Sequence, residues 1–273
     1  MCGRYSLVTK IKEIEKRFGV TATHPEKVVQ NANVALGQLA PVITNDKPKE
    51  LQLFQFGFTP SWAEKNMYVI NARSEGDHNK SDDMHYTGAK GIIEKPMFRK
   101  AIRSQRCLVV ADAFYEGPKN EGLSKPYCVY LRNGEHPFAF AGIWDQWVNT
   151  STGEIVHSFA VITTAANDLM VRIGHHRCPV ILSKDEERMW LDSSAPLSDI
   201  TDMLRTYPAE SMNAYPVSNE MKNPRAQGMH LLQPIGERVY PEYKYEIFQE
   251  IQLFGMGETR ARERRKGEQG RLF

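Results

Sequence analysis

Apolar residues recur along this chain with two periods, and the change from one to the other divides it into elements. Ile11, Ile14 and Phe18 return at helical spacing up to Gly19, which predicts a short amphipathic helix over residues 10–19. Over residues 51–58 the pattern alternates instead, with Phe54, Phe56 and Phe58 at every second position, and predicts a strand. It runs into a loop with Trp62 at its tip, and a short strand at 68–70 then delivers Asn71, Ala72 and Arg73. The continuous apolar run over 107–114 predicts one buried strand, closed by a turn at 115–118. Further strands are expected at 126–132, 137–147, 157–164 and 180–182, and helices at 98–105, 164–173, 186–191, 197–207 and 243–254. Residues 30–41, with Asn31, Asn33 and Gly37, read as polar and turn-like, and residues 76–90 as a flexible insertion rich in Gly, Asp, Asn, Ser and His.

Strands with polar tips and helices at both ends, without a repeating βα rhythm, give a mixed α+β fold. No internal repeat or proline-rich linker divides the chain, so one domain is expected over 1–257. A charged tail follows at 258–273, where arginines alternate with glutamates, and reads as solvated or disordered.

A composition 41% apolar and 25% charged is that of a soluble globular protein, and a formal charge of +2 does not by itself point to nucleic acid. No apolar run reaches the roughly 20 residues that span a bilayer, so no membrane partner is expected. Cys2, Cys107, Cys128 and Cys178 lie far apart without a C-x-x-C pair, which argues for reduced thiols in the cytoplasm and against a structural zinc. No metal-ligand cluster or cofactor motif is present in the pattern, so none is expected.

The candidate chemistry begins at the start of the chain. Once Met1 is removed, Cys2 carries an amine and a thiol on adjacent carbons. Such an aminothiol condenses with an aldehyde to an imine and closes through sulfur to a five-membered thiazolidine. With pKa values of about 7.7–8.0 and about 8.5, both groups are mostly protonated at neutral pH, so a proton-transfer partner is expected elsewhere. Glu116 follows the 107–114 run directly, where desolvation raises a carboxyl pKa toward neutrality, although a solvated turn glutamate fits the local sequence as well. His175 and His176 sit at a glycine-initiated turn, where one of two neighbours faces outward; either a proton shuttle or a structural histidine fits. Asn71 at a strand end suits an orienting role or a turn. Arg4, Arg73 and Arg177 each adjoin one of these candidates and suit phosphate, while Trp62 suits stacking on a base.

In order along the chain, Met1-Cys2-Gly3-Arg4-Tyr5, the 57–63 loop, Asn71-Ala72-Arg73-Ser74-Glu75, Pro96-Met97-Phe98-Arg99, the 106–116 run, Phe140-Ala141-Gly142-Ile143-Trp144-Asp145 and the 175–182 segment resemble the SRAP family, the SOS-response-associated peptidases or abasic-site-processing proteins. The resemblance spans roughly residues 1–192. It implies one α+β domain with a curved, barrel-like, mostly antiparallel β core flanked by helices. It also implies autocatalytic removal of Met1 and a covalent thiazolidine crosslink from Cys2 to abasic sites in single-stranded DNA, a shield and lyase-like chemistry in the DNA damage and SOS responses. By the same resemblance Cys2 is the nucleophile, Asn71 an orienting residue, Glu116 the acid/base and His175 the active-site histidine. Arg4, Trp62 and Arg73 are expected to contact DNA, and Arg177, the matching arginine, is counted with them. The protein is then a cytoplasmic monomer, on the nucleoid when bound to damaged DNA.

Three positions depart from the family pattern. Gly117 stands where Trp is usual and is expected to open space beside Glu116. His176-Arg177-Cys178 replaces Asp-Arg-Met, and Leu36 replaces a proline. Two other readings use the same residues: an N-terminal-nucleophile amidotransferase or hydrolase acting through Cys2, and a non-catalytic reader of modified DNA.

Overall fold

The computed structural model describes residues 3–132, 134 and 136–242. The strands in chain order are β1 (Arg4–Leu7), β2 (Thr21–Ala22), β3 (Asn31–Ala35), β4 (Leu39–Thr44), β5 (Glu50–Phe56), β6 (Asn71–Arg73) and β7 (Arg106–Ala111). They continue with β8 (Ala113–Glu116), β9 (Tyr127–Leu131), β10 (Phe138–Val148), β11 (Ile155–Ala165), β12 (Arg177–Pro179), β13 (Ile181–Leu182) and β14 (Met212–Pro216). Among the described residues five α-helices join them: α1 (Ile11–Phe18), α2 (Ala101–Ser104), α3 (Asp168–Arg172), α4 (Lys184–Leu191) and α5 (Leu197–Asp202).

The antiparallel path β11–β10–β7–β4–β5 is closed by a parallel contact of β5 with β11, Gln55 against Ser158 and Phe56 against Phe159, which makes a five-stranded barrel. Strand periodicity fills it. Cys107, Val109, Phe138, Phe140, Phe159, Val161, Phe54 and Phe56 share one core, while Leu108, Val110, Ala139, Ala141, Ala160 and Ile162 join a second. That second core includes Ile14 of α1, Ile102 of α2, Trp190 of α4 and Ile200 of α5, so the helices cover the barrel wall. Burial on both faces is why β7 and β10 read as continuous apolar runs. At Gly142 a Cβ would lie 2.7 Å from Val109 Cγ2 and 2.8 Å from Cys107 Sγ, so the glycine leaves that volume to its neighbours on β7.

A second sheet, ordered β14–β9–β8–β1–β3, packs against the barrel through Tyr5, Phe114, Val129 and Met212. The single strand expected over 107–114 is two strands in two sheets, and Asp112 makes the switch. Its carboxylate accepts from the backbone N–H groups of Val8 (2.6 Å) and Thr9 (2.8 Å) and from the Thr9 hydroxyl (2.6 Å), which satisfies donors at the end of β1. The expected turn-like stretch at 30–41 is instead β3, a turn at Gly37 and the start of β4, and the two strands belong to different sheets. Its polarity is structural: buried Asn33 donates to the carbonyls of Met221, Asn223 and Ala226 and ties down the chain after β14.

The helix at 10–19 is present, closed by Gly19 in the left-handed conformation at φ 64°. The helix expected at 98–105 shrinks to α2, that at 164–173 to α3 behind an extended β11, and that at 197–207 to α5. The helix expected at 243–254, the 257 boundary and the 258–273 tail lie outside the described residues. Among the described residues no helix is long and apolar enough to cross a membrane.

Candidate active site

Glu116 and His175, 59 positions apart in the chain, meet where β8 ends. Glu116 is the last residue of β8 and is 4% exposed. The chain then turns through Gly117, where a Cβ would fall 2.0 Å from the Gly122 carbonyl oxygen and 2.7 Å from that of Lys125. Gly117 therefore opens no space beside Glu116, contrary to the sequence expectation: the backbone of the following loop fills the volume a side chain would take. The same glycine lets its carbonyl face His175. Gly174, at φ 78°, packs on Pro118, and its carbonyl accepts from Lys119 N–H at 2.9 Å. His175 is thereby held with Nδ1 2.8 Å from the Gly117 carbonyl and Nε2 3.3 Å from Glu116 Oε2.

A carbonyl only accepts, so Nδ1 carries the proton and Nε2 of the neutral ring offers a lone pair toward Glu116. The two pKa shifts agree with this arrangement. Desolvation by burial raises Glu116 to about 7 and lowers His175 to about 3. Near neutral pH the carboxyl is close to half protonated, and in its protonated form it can donate a hydrogen bond to the neutral imidazole. A carboxyl tuned this close to the operating pH suits general acid/base work.

The other candidates gather around the C-terminal half of β11. On one edge β6 runs parallel to it, with Asn71 level with Val161 and Arg73 level with Thr163. On the other edge β12 runs antiparallel, with Arg177 level with Ala165. Asn71 Nδ2 lies 3.4 Å from the Val161 carbonyl. Arg73 Nη2 donates to Asp82 Oδ1 at 2.9 Å and to the Asn79 carbonyl. Arg177 is 2% exposed and donates through both Nη atoms to Glu75, at 3.0 and 2.8 Å, and through one of them to Thr163 Oγ1 at 3.3 Å. This buried fork links β12, and with it the segment that carries His175, to Glu75 beyond β6.

Arg4 opens β1 and donates from Nη2 to the Lys222 carbonyl at 3.1 Å; its Nε is buried without a hydrogen-bond partner. Trp62 is 60% exposed on a loop pinned by Ser61 N–H on Asp145 Oδ2 (2.8 Å) and by Thr59 N–H on Ser158 Oγ (2.9 Å). That anchorage lies toward the opposite half of β11 from Thr163. Cys2 lies outside the described residues, and the strand just after it is β1. There β1 pairs antiparallel with β8, Tyr5 level with Phe114 and Ser6 with Ala113, a register that runs back toward Glu116. In the sequence Glu75 has no role beyond its place in the 71–75 motif, and Asp82 is one residue of the 76–90 insertion. The available signal was two acidic residues in a stretch bounded by Arg73 on one side and, far along the chain, by Arg177.

A relative from Bacillus subtilis (strain 168), abasic site processing protein YoqW, is 34% identical over 240 residues, covering 85% of this chain and 99% of its own. Abasic site processing protein HMCES of Xenopus tropicalis is 29% identical over 199 residues, covering 64% of this chain and 54% of its own. A crystal structure of a protein from Bacteroides thetaiotaomicron superposes with a TM-score of 0.72 at 27% identity, over 86% of this chain and all of that one. The family profile of SOS response associated peptidase matches residues 1–224, a span that contains β1, Asn71, Glu116 and His175 together. On that match over most of its length, and on its likeness to the first of these relatives, this chain belongs to the SOS response associated peptidase (SRAP) family.

Proposed function

We propose that this protein processes abasic sites in single-stranded DNA, by crosslinking Cys2 to the ring-opened sugar after hydrolysis of its own Met1–Cys2 bond. Support comes from the names of its relatives and, within the chain, from one observation above all: the strand just after Cys2 is paired with the strand that ends in Glu116. The Cys2 amine adds to the C1′ aldehyde, and the carbinolamine loses water to an imine. The Cys2 thiol then adds to the same carbon and its proton passes to nitrogen. One C–N and one C–S bond form, one water leaves and no redox partner is needed. Glu116 supplies the proton that the departing hydroxyl takes and His175 Nε2 holds the carboxyl in place. Asn71 orients the sugar, Arg4 and Arg73 receive backbone phosphates, and Trp62 packs against bases.

The test is a denaturing gel of the protein with a single-stranded oligonucleotide carrying one abasic site. A slow band that survives denaturation, and is missing with the intact oligonucleotide, is the expected result. Salt-sensitive binding without a covalent band would favour a non-catalytic reader, and glutamine hydrolysis independent of DNA an amidotransferase.

A further inference from the structure

The 76–90 segment contains no helix or strand, yet it closes on itself. At Gly76, φ 59°, a Cβ would lie 2.8 Å from the Gly91 backbone, and Asn79, 2% exposed, is bonded to the Asp83 backbone through both its N–H and its oxygen. The fold of this loop serves to deliver one carboxylate. Asp82, itself at φ 59°, a conformation unfavourable for a residue with a Cβ, lies among two arginines, a lysine and a histidine from three other segments. Arg73 Nη2 is 2.9 Å from Oδ1, Arg177 Nη1 3.6 Å from Oδ1, Lys119 Nζ 3.6 Å from Oδ2 and His176 Nε2 3.7 Å from Oδ2. Only the first of these is a hydrogen bond by distance.

The fit is incomplete on the cationic side too. Arg73 offers a two-donor edge, Nε and Nη2, but only Nη2 is used, and Nε is buried without a partner. A tetrahedral anion with several oxygens suits that edge and the nearby Lys119 better than one monodentate carboxylate does. The cluster also adjoins the site: Arg73 is two residues from Asn71, and His176 follows His175.

We infer that Arg73, Lys119 and His176 form a phosphate seat whose internal occupant is the Asp82 carboxylate, and that a phosphodiester of bound single-stranded DNA takes the seat by displacing the loop. The identity of the incoming anion rests on the proposed function; the exchange does not depend on the covalent chemistry. Asp82 thus competes with DNA and sets how tightly the backbone is held before reaction.

The test uses an intact oligonucleotide, on which no crosslink forms, and follows its fluorescence anisotropy at several salt concentrations. Asp82→Asn removes the charge, and Asp82→Gly also relieves the backbone conformation; thermal melts check that both fold. Both are expected to bind about threefold tighter or more, the size of one partly exposed charge pair. The slope of log K against log salt should steepen by about 0.7, one added phosphate contact to a single strand. Adding Arg73→Gln to Asp82→Asn should abolish the gain. Unchanged or weaker binding by both variants, or no binding by any of the proteins, overturns the proposal. Tighter binding without any adduct on abasic DNA would leave the exchange standing and remove the covalent reading instead.

Discussion

Cys2→Ala is expected to leave no stable adduct on abasic single-stranded DNA, a loss of about three orders of magnitude or more, because the intramolecular sulfur attack that locks the imine is gone. The variant keeps its α-amine when Met1 is removed. A reversible imine should therefore still form, and borohydride should trap it as a faint band that wild type does not need reductant to show. Anisotropy on intact oligonucleotide should be unchanged, since no role in binding is assigned to the thiol. A stable adduct in the variant at the wild-type yield would remove Cys2 from the mechanism.

Glu116→Gln carries the second large effect. Loss of a positioned acid/base typically costs about 10²–10⁴-fold in rate, and the amide preserves the size of the group that His175 faces. The pH profile gives the sharper readout. In the wild type the rate should rise with pH through about 7, where Glu116 changes state. It should then fall above the α-amine value of about 7.7–8.0. The same bell arises whether the proton counted is placed on the carboxyl or on the amine. In Glu116→Gln the rise should move up to the amine's own range and the later fall should vanish. A variant that keeps the limb near 7 would show that another group produces it.

The same pair shapes stability. Glu116 binds its proton more tightly folded than unfolded, about 7 against 4.5, so its contribution falls as pH rises from about 4.5 to about 7. His175 binds its proton less tightly folded, about 3 against 6.5, so its contribution grows as pH rises from about 3 to about 6.5. Between about 4.5 and 6.5 the slopes oppose each other. Glu116→Gln should leave the histidine slope alone, and the melting temperature should then climb more steeply with pH across that window than in the wild type.

Much of this was legible in the sequence because it is written in periodicity. The alternation of Phe54 and Phe56 and the apolar runs of β7 and β10 mark barrel strands, and an apolar run ending on Glu116 marks a carboxyl carried to the edge of a core. What stayed hidden depends on partners far away in the chain. Asn33 looked like a turn residue because its three carbonyl partners lie beyond Pro216. Asp112 looked like one more position of a strand because its capping role needs Val8 and Thr9 alongside. The pairing of Arg177 was hidden because arginine chemistry suits both phosphate and carboxylate, and only the fold brings Glu75 to it. Gly117 looked like open space, and the loop that fills the space is contributed by residues later in the chain.

In this mechanism one residue supplies both the nitrogen and the sulfur of the linkage, which is read by digesting the adduct to peptides and fragmenting the N-terminal peptide. Met1 should be absent, and the DNA-derived sugar should sit on Cys2 with the mass of the two components less one water and no free thiol. A sugar carried on a lysine, or a crosslinked chain that still begins with Met1, would contradict it.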